Sequence, residues 1–121
     1  TSAPCSPSSA SVAVPRYIDL ETNAKQRAID AAVSELNGRE NLTWANVKIS
    51  PTPPATPVQL NTQIRDDMSY DLGTDYIWST DPGAFASPEN TNTSDLTFQG
   101  GISVTLTRDP AATSEPAVWS R

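Results

Sequence analysis

RYIDLETNAKQRAIDAAVSELN, residues 16–37, runs for 22 residues without proline or glycine and is rich in Ala, Glu, Lys, Gln and Arg. Those are good helix formers, and Pro15 suits a first turn, where its missing N–H costs nothing. At 100° per residue, Ile18, Ile29, Ala32, Val33 and Leu36 share a stripe roughly 100° wide. Arg16, Asp19, Arg27 and Asp30 lie on the opposite side, and Ala24, Ala28 and Ala31 make a flanking strip of small side chains. The spacing predicts an amphipathic helix over Arg16–Asn37, stopped at Asn37-Gly38 by a left-handed glycine cap. Lys25 falls inside the apolar stripe, which is therefore clean only over the last two turns, so the helix is expected to begin beyond the core it serves.

Working outward, residues 40–49 (ENLTWANVKI) place Leu42, Ala45 and Ile49 at helical spacing, and a short second helix is expected there. SPTPPATP (50–57) carries four prolines in eight residues, which fits a stiff extended connector. The remainder reads as β-structure. Tyr76-Ile77-Trp78 follows the turn residues 71–74, and residues 80–95 read as a long loop with little to bury except Phe85. The hairpin after it is decided by side-chain parity. A two-residue Gly-Gly loop would split the apolar residues between two faces. A three-residue loop, Gln99-Gly100-Gly101, pairs Phe98 with Ile102 and Leu96 with Val104 and puts Leu96, Phe98, Ile102, Val104 and Leu106 on one face. After a loop at 108–116, Ala117-Val118-Trp119 is long enough for an edge strand. The expected fold is α+β: a long N-terminal helix on an antiparallel sheet of three or four strands including 95–99 and 102–108. Its expected core holds Ile29, Val33, Leu36, Phe98, Ile102, Val104 and Leu106.

Composition narrows the function. The 121 residues are 36% hydrophobic, with eleven prolines, below the usual apolar share of about 45–50%. With no histidine, Ser-His-Asp and Cys-His catalysis and every His-dependent metal site are removed. Cys5 stands alone, so no internal disulfide or CxxC site forms. The net charge of −6 lies entirely in residues 61–121, a surface that repels phosphate backbones, and no nucleic-acid partner is expected. No stretch approaches the ~18–20 apolar residues of a membrane span, and no signal peptide is visible in the chain as it stands. Residues 1–11, TSAPCSPSSAS, read as a disordered lead or expression remnant ahead of one globular domain, 12–121.

Val12-Ala13-Val14-Pro15-Arg16-Tyr17-Ile18-Asp19-Leu20 at the helix start, followed by an amphipathic helix and a β-meander, resembles the type IV pilin and type II secretion pseudopilin family. In that family a very apolar N-terminal half-helix ends in an Ala/Val/Ile-Pro-x-aromatic step and continues into an amphipathic half; Ala24 to Leu36 looks like the half that packs on the sheet. The resemblance implies a structural subunit of a type IV pilus or related pseudopilus, assembling by helix bundling, with no enzyme activity and no cofactor. Val14, Pro15, Tyr17, Ile18, Leu20 and Ala24 are its implied subunit-assembly residues. Its implied partners are copies of itself, minor pilins and the pilus or secretion assembly machinery, with a membrane engaged only through an apolar segment that this chain lacks. The implied location is an extracellular pilus or periplasmic pseudopilus, anchored in the inner membrane before assembly. The chain departs from the family in three ways: TSAPCSPSSAS stands where the apolar half would be, one cysteine cannot close the C-terminal disulfide loop of many pilins, and the calcium-site pattern of the major type II secretion pseudopilin is not recognisable.

Other constellations carry less. Asp67, Asp71 and Asp75, with Asp66 and Asp81 nearby, do not follow a calcium-loop spacing and read as a solvated acidic face, so no metal is expected. Glu89, Asp95 and Asp81 sit in a polar loop without the burial that raises one carboxyl pKa for glycoside hydrolysis. Trp44, Tyr76, Trp78 and Trp119 support an alternative function, a secreted β-rich carbohydrate-binding module. Exposed, co-planar Trp78 and Trp119 would favour it; burial of both against the long helix would favour the pilin reading.

Overall fold

The computed structural model describes the backbone of residues 7–121 and the side chains from Glu21 onward. Residues 1–6 of the expected lead, Cys5 among them, lie outside the described residues; residues 7–11 belong to the backbone of the first helix, which therefore starts at Pro7 rather than at Arg16, with Pro15 inside it. The architecture is α+β, as expected. Helix α1 (Pro7–Lys48) and helix α2 (Pro57–Asp67) pack on a four-stranded sheet. The strands are β1 (Tyr76–Trp78), β2 (Asn92–Phe98), β3 (Ile102–Asp109) and β4 (Val118–Ser120), in the spatial order β1-β2-β3-β4. All three pairings are antiparallel, so the sheet is a simple meander.

Four further expectations are corrected. Asn37-Gly38 is not a helix stop, and residues 40–49 do not form a separate helix, because α1 continues through both to Lys48. The reason is tertiary. Ile29, Ala32, Leu36, Glu40 and Val47 are all buried, at spacings of three, four and seven that keep one face on the body. Burial along that face outweighs the ~1 kcal/mol that a helical glycine costs. The connector is followed by a helix rather than by β-structure. Thr56 caps α2 through its hydroxyl, which accepts from the Gln59 N–H at 3.3 Å, and Pro57 takes the first turn. Leu60 and Ile64, spaced four apart, bury its inner face, and Met68 continues that spacing just beyond its end. The loop at 80–95 is shorter than expected, since β2 starts at Asn92 and a 3₁₀ turn occupies Pro82–Ala84. The loop buries Pro82 and Pro88 as well as Phe85, and Ser94 is buried in β2.

The hairpin follows the parity argument. Phe98 pairs with Ile102 and Leu96 with Val104. The turn closes with the Gly101 N–H donating to the Phe98 carbonyl at 3.0 Å. Both Gln99 (φ 52°) and Gly100 (φ 66°) are left-handed, a conformation glycine accepts freely and glutamine does not. Lys25 is explained here. Its side chain lies over the turn, so that a Cβ added at Gly101 would stand 2.5 Å from Lys25 Nζ, and its ammonium reaches Glu21 at 3.4 Å.

Of the expected core, Ile29, Leu36 and Leu106 are buried, while Val33, Phe98, Ile102 and Val104 pack half-buried around them. Leu96, Met68, Tyr70, Phe85 and Trp119 complete that cluster. A second cluster, Val47, Leu60, Ile64, Ala111 and Ala117 with Trp44, joins the end of α1 to α2 and the loop before β4.

Candidate functional site

Of the six assembly residues expected from the sequence, Val14, Pro15, Tyr17, Ile18 and Leu20 have side chains outside the described residues. Ala24 is exposed, as are Glu21, Thr22 and Asn23. Contact with the sheet begins at Lys25 and Gln26. Arg121 reaches back to Gln26 and makes an ion pair with Asp30 at 2.9 Å. The alanine strip is only partly free. Ala31 is exposed, but Ala28 is half-buried and its carbonyl accepts from the Tyr76 hydroxyl at 3.0 Å. Leu42 in α1 and Ile49 just past its end are 64% and 81% exposed.

The centre of the molecule is a polar junction that periodicity did not reveal. Glu40 of α1 and Arg108 of β3 are 0% and 1% exposed and form a two-bond ion pair, Nε to Oε2 at 2.8 Å and Nη2 to Oε1 at 3.3 Å. The Trp119 indole N–H donates to Glu40 Oε2 at 2.7 Å. Arg108 also donates to the Pro88 carbonyl at 2.9 Å and to Asn61 Oδ1 at 3.2 Å. Asn61 in turn accepts from the Ala111 N–H at 2.8 Å, and its amide donates to the Pro57 and Ala111 carbonyls at 2.8 and 2.9 Å. Among the described residues no buried side-chain N or O lacks a partner. A buried charge pair in which every donor and acceptor is used holds elements in register and leaves no free group for chemistry. The sequence signal was Arg108, a charged residue at a core-facing position of β3, two residues beyond Leu106.

The aromatic residues do not form a flat platform. Trp119 is 1% exposed beneath α1, where Asn37 clasps its backbone by bonds of 2.7 and 3.0 Å. Trp78 is half-buried, its ring 5.5 Å from that of Trp119 and tilted by 47°. Tyr70 meets Trp119 edge-on at 6.4 Å, and the Trp44 indole N–H donates to the Ala112 carbonyl at 3.1 Å. Burial, then the Glu40 charge, pushes the Tyr70 phenol well above its ordinary value; burial, then Asp75, raises Tyr76. The acidic residues of 66–81 are dispersed, and among the described residues no three metal-ligating side chains converge. Among the glycosidase candidates, Asp95 accepts from the Thr105 hydroxyl at 2.6 Å, and Asp95 and Asp81 are both exposed.

No family model, curated protein or solved structure matches this chain.

Proposed function

We propose that the protein is a structural subunit of a type IV pilus or related pseudopilus, assembling through its long helix and without catalytic activity. The observation that carries the reading is the way α1 meets the sheet. From Ile29 to Leu36 it packs on the antiparallel meander, and at Val47 it packs on α2. The turn Glu21–Ala24 is left exposed ahead of that contact. Among the described side chains, those of Glu21–Ala24 stand clear of the core and the later turns serve it, an arrangement that suits a subunit whose helix start is covered by neighbours. In this reading Val14, Pro15, Tyr17, Ile18, Leu20 and Ala24 meet adjacent subunits and minor pilins, and an apolar segment ahead of residue 12 holds the precursor in the inner membrane until the assembly machinery draws it into an extracellular or periplasmic filament. The carbohydrate-binding alternative loses its exposed aromatic pair to the burial of Trp119.

The full reading frame tests the proposal. A leader ending in glycine before an apolar segment that carries a glutamate supports it, whereas a conventional signal peptide sinks it. Ala24→Cys in that full frame adds a contact test. Cross-linked multimers on sheared surface filaments are expected, and filaments in which this position stays monomeric would remove Ala24 from the interface.

A further inference from the structure

Beside the segment that follows α2 lies an open cleft of about 520 Å³ whose lining includes Arg65, Asp66, Tyr70, Asp71, Trp78 and Asp81. That volume lies within the range of small-molecule sites. Three carboxylates face one guanidinium, and that guanidinium is already engaged. Arg65 donates to the Phe85 carbonyl at 2.7 Å and to Asp66 Oδ1 at 3.1 and 3.2 Å. Asp71 and Asp81 each spend Oδ1 on a backbone N–H, of Gly73 and Gly83, both at 2.9 Å. The second oxygen of each of the three carboxylates makes no hydrogen bond among the described residues.

A second observation points into the same cleft. Tyr70 is only 6% exposed, and nothing among the described residues pairs with its hydroxyl; the Trp78 indole N–H donates to the Tyr70 carbonyl instead, at 2.9 Å. No fully enclosed side-chain oxygen is left unpaired, so this hydroxyl keeps some access to solvent, and Tyr70 is part of the cleft wall. Burial keeps it protonated far above neutral pH, a fixed donor and acceptor in the wall. The carboxylates do not converge as a metal site does. They surround a larger space that has an indole on one side, and an ammonium carried on an organic group matches both the negative field and the aromatic ring.

We propose that this cleft binds a small organic ammonium, its charge held by Asp66, Asp71 and Asp81 against Trp78 and a polar hydrogen donated to the Tyr70 hydroxyl. The proposal does not rest on the filament reading. Two sources carry this chemistry, an amino sugar and an aliphatic diamine, so the probes are glucosamine and 1,5-diaminopentane, with glucose and N-acetylglucosamine as uncharged controls. Each is titrated into the ¹⁵N-labelled 121-residue chain while the Trp78 indole resonance is followed. The expected result is a saturable shift with one or both amines, none with the uncharged sugars, and weakening by added salt; the tighter amine identifies the source. Asp71→Asn and Asp81→Asn keep the acceptor for the turn N–H and are each expected to bind about two- to five-fold more weakly. Tyr70→Phe removes an unpartnered hydroxyl, so it should weaken binding while leaving the melting temperature in place. Glucose shifting Trp78 as strongly as glucosamine, or neither amine shifting it, overturns the proposal.

Discussion

Arg108→Met is expected to cost about 3–5 kcal/mol of folding stability, the usual consequence of removing one partner from a buried ion pair. The guanidinium is 1% exposed and gives two bonds to Glu40, one to the Pro88 carbonyl and one to Asn61. Methionine fills similar volume, so the loss is electrostatic. Glu40, at 0% exposure, keeps only the Trp119 indole as donor, and the Pro88 carbonyl loses the guanidinium bond. Against a total stability of about 5–15 kcal/mol, such a loss is large. At about 4 °C per kcal/mol for a chain of this size, the melting temperature falls by about 12–20 °C. Urea titration followed by circular dichroism and tryptophan fluorescence measures it. The double variant Glu40→Gln/Arg108→Met removes the stranded charge and keeps an acceptor for Trp119, and should recover at least about half of the loss. A single-variant loss under about 1 kcal/mol, or a double variant no better than the single one, would refute the view that the junction fastens helix to sheet.

Gly38 lies inside α1 with open space where a Cβ would stand, so Gly38→Ala should raise stability by about 0.5–1 kcal/mol in the same titration; a loss would mean that the helix stops there after all. Gly100→Ala places a side chain at φ 66° and should cost about 1–2 kcal/mol, a thermal melt being sufficient to see it. The Tyr70 and Tyr76 phenols have folded values above their ordinary 10.0. Folding therefore holds their protons more tightly than the unfolded chain does. Their contribution is fully present below pH 10 and is lost as pH rises through the folded values, so stability should fall with rising alkalinity and the buried phenol should ionise only as the chain unfolds. A phenolate absorbance titration beside an unfolding curve checks this, and early, reversible ionisation of both phenols in the folded protein would contradict it. The 121-residue chain, with its acidic excess in residues 61–121, should sediment as a monomer at all concentrations once reductant removes any Cys5-linked dimer; a reductant-insensitive dimer would reveal an interface on the globule itself.

Local rules made the sheet legible. Side-chain parity around Gln99-Gly100-Gly101 admitted one register, and it is the register found. What escaped depended on contacts distant in sequence. Gly38 carries a local stop signal, yet Glu40, Trp44 and Val47 each have a partner elsewhere in the chain that holds the helix past it. Helix α2 is polar on most of its surface and shows only Leu60 and Ile64 at helical spacing, too little for periodicity; the Thr56-Pro57 capping pair was the readable sign. Trp119 read as an edge-strand residue and is one; what nothing nearby shows is that Asn37 and Glu40 enclose it. The cleft was half visible. Its aspartates stood out as a group, but Trp78 and Tyr70 join them only once β1 folds back beside the segment after α2.

The junction around Glu40 also sets a timetable. Its donors lie 68 and 79 residues downstream, at Arg108 and Trp119. A ribosome or a translocation channel releasing this chain from its N-terminus delivers the glutamate early and the groups that neutralise it late. Until then the carboxylate is better solvated than buried, so the face of α1 that carries it resists premature docking, and closing such distant contacts is slow. The last strand, only three residues long, thus acts as the latch. Glu40 has its full set of partners only once Trp119 has followed Arg108 out.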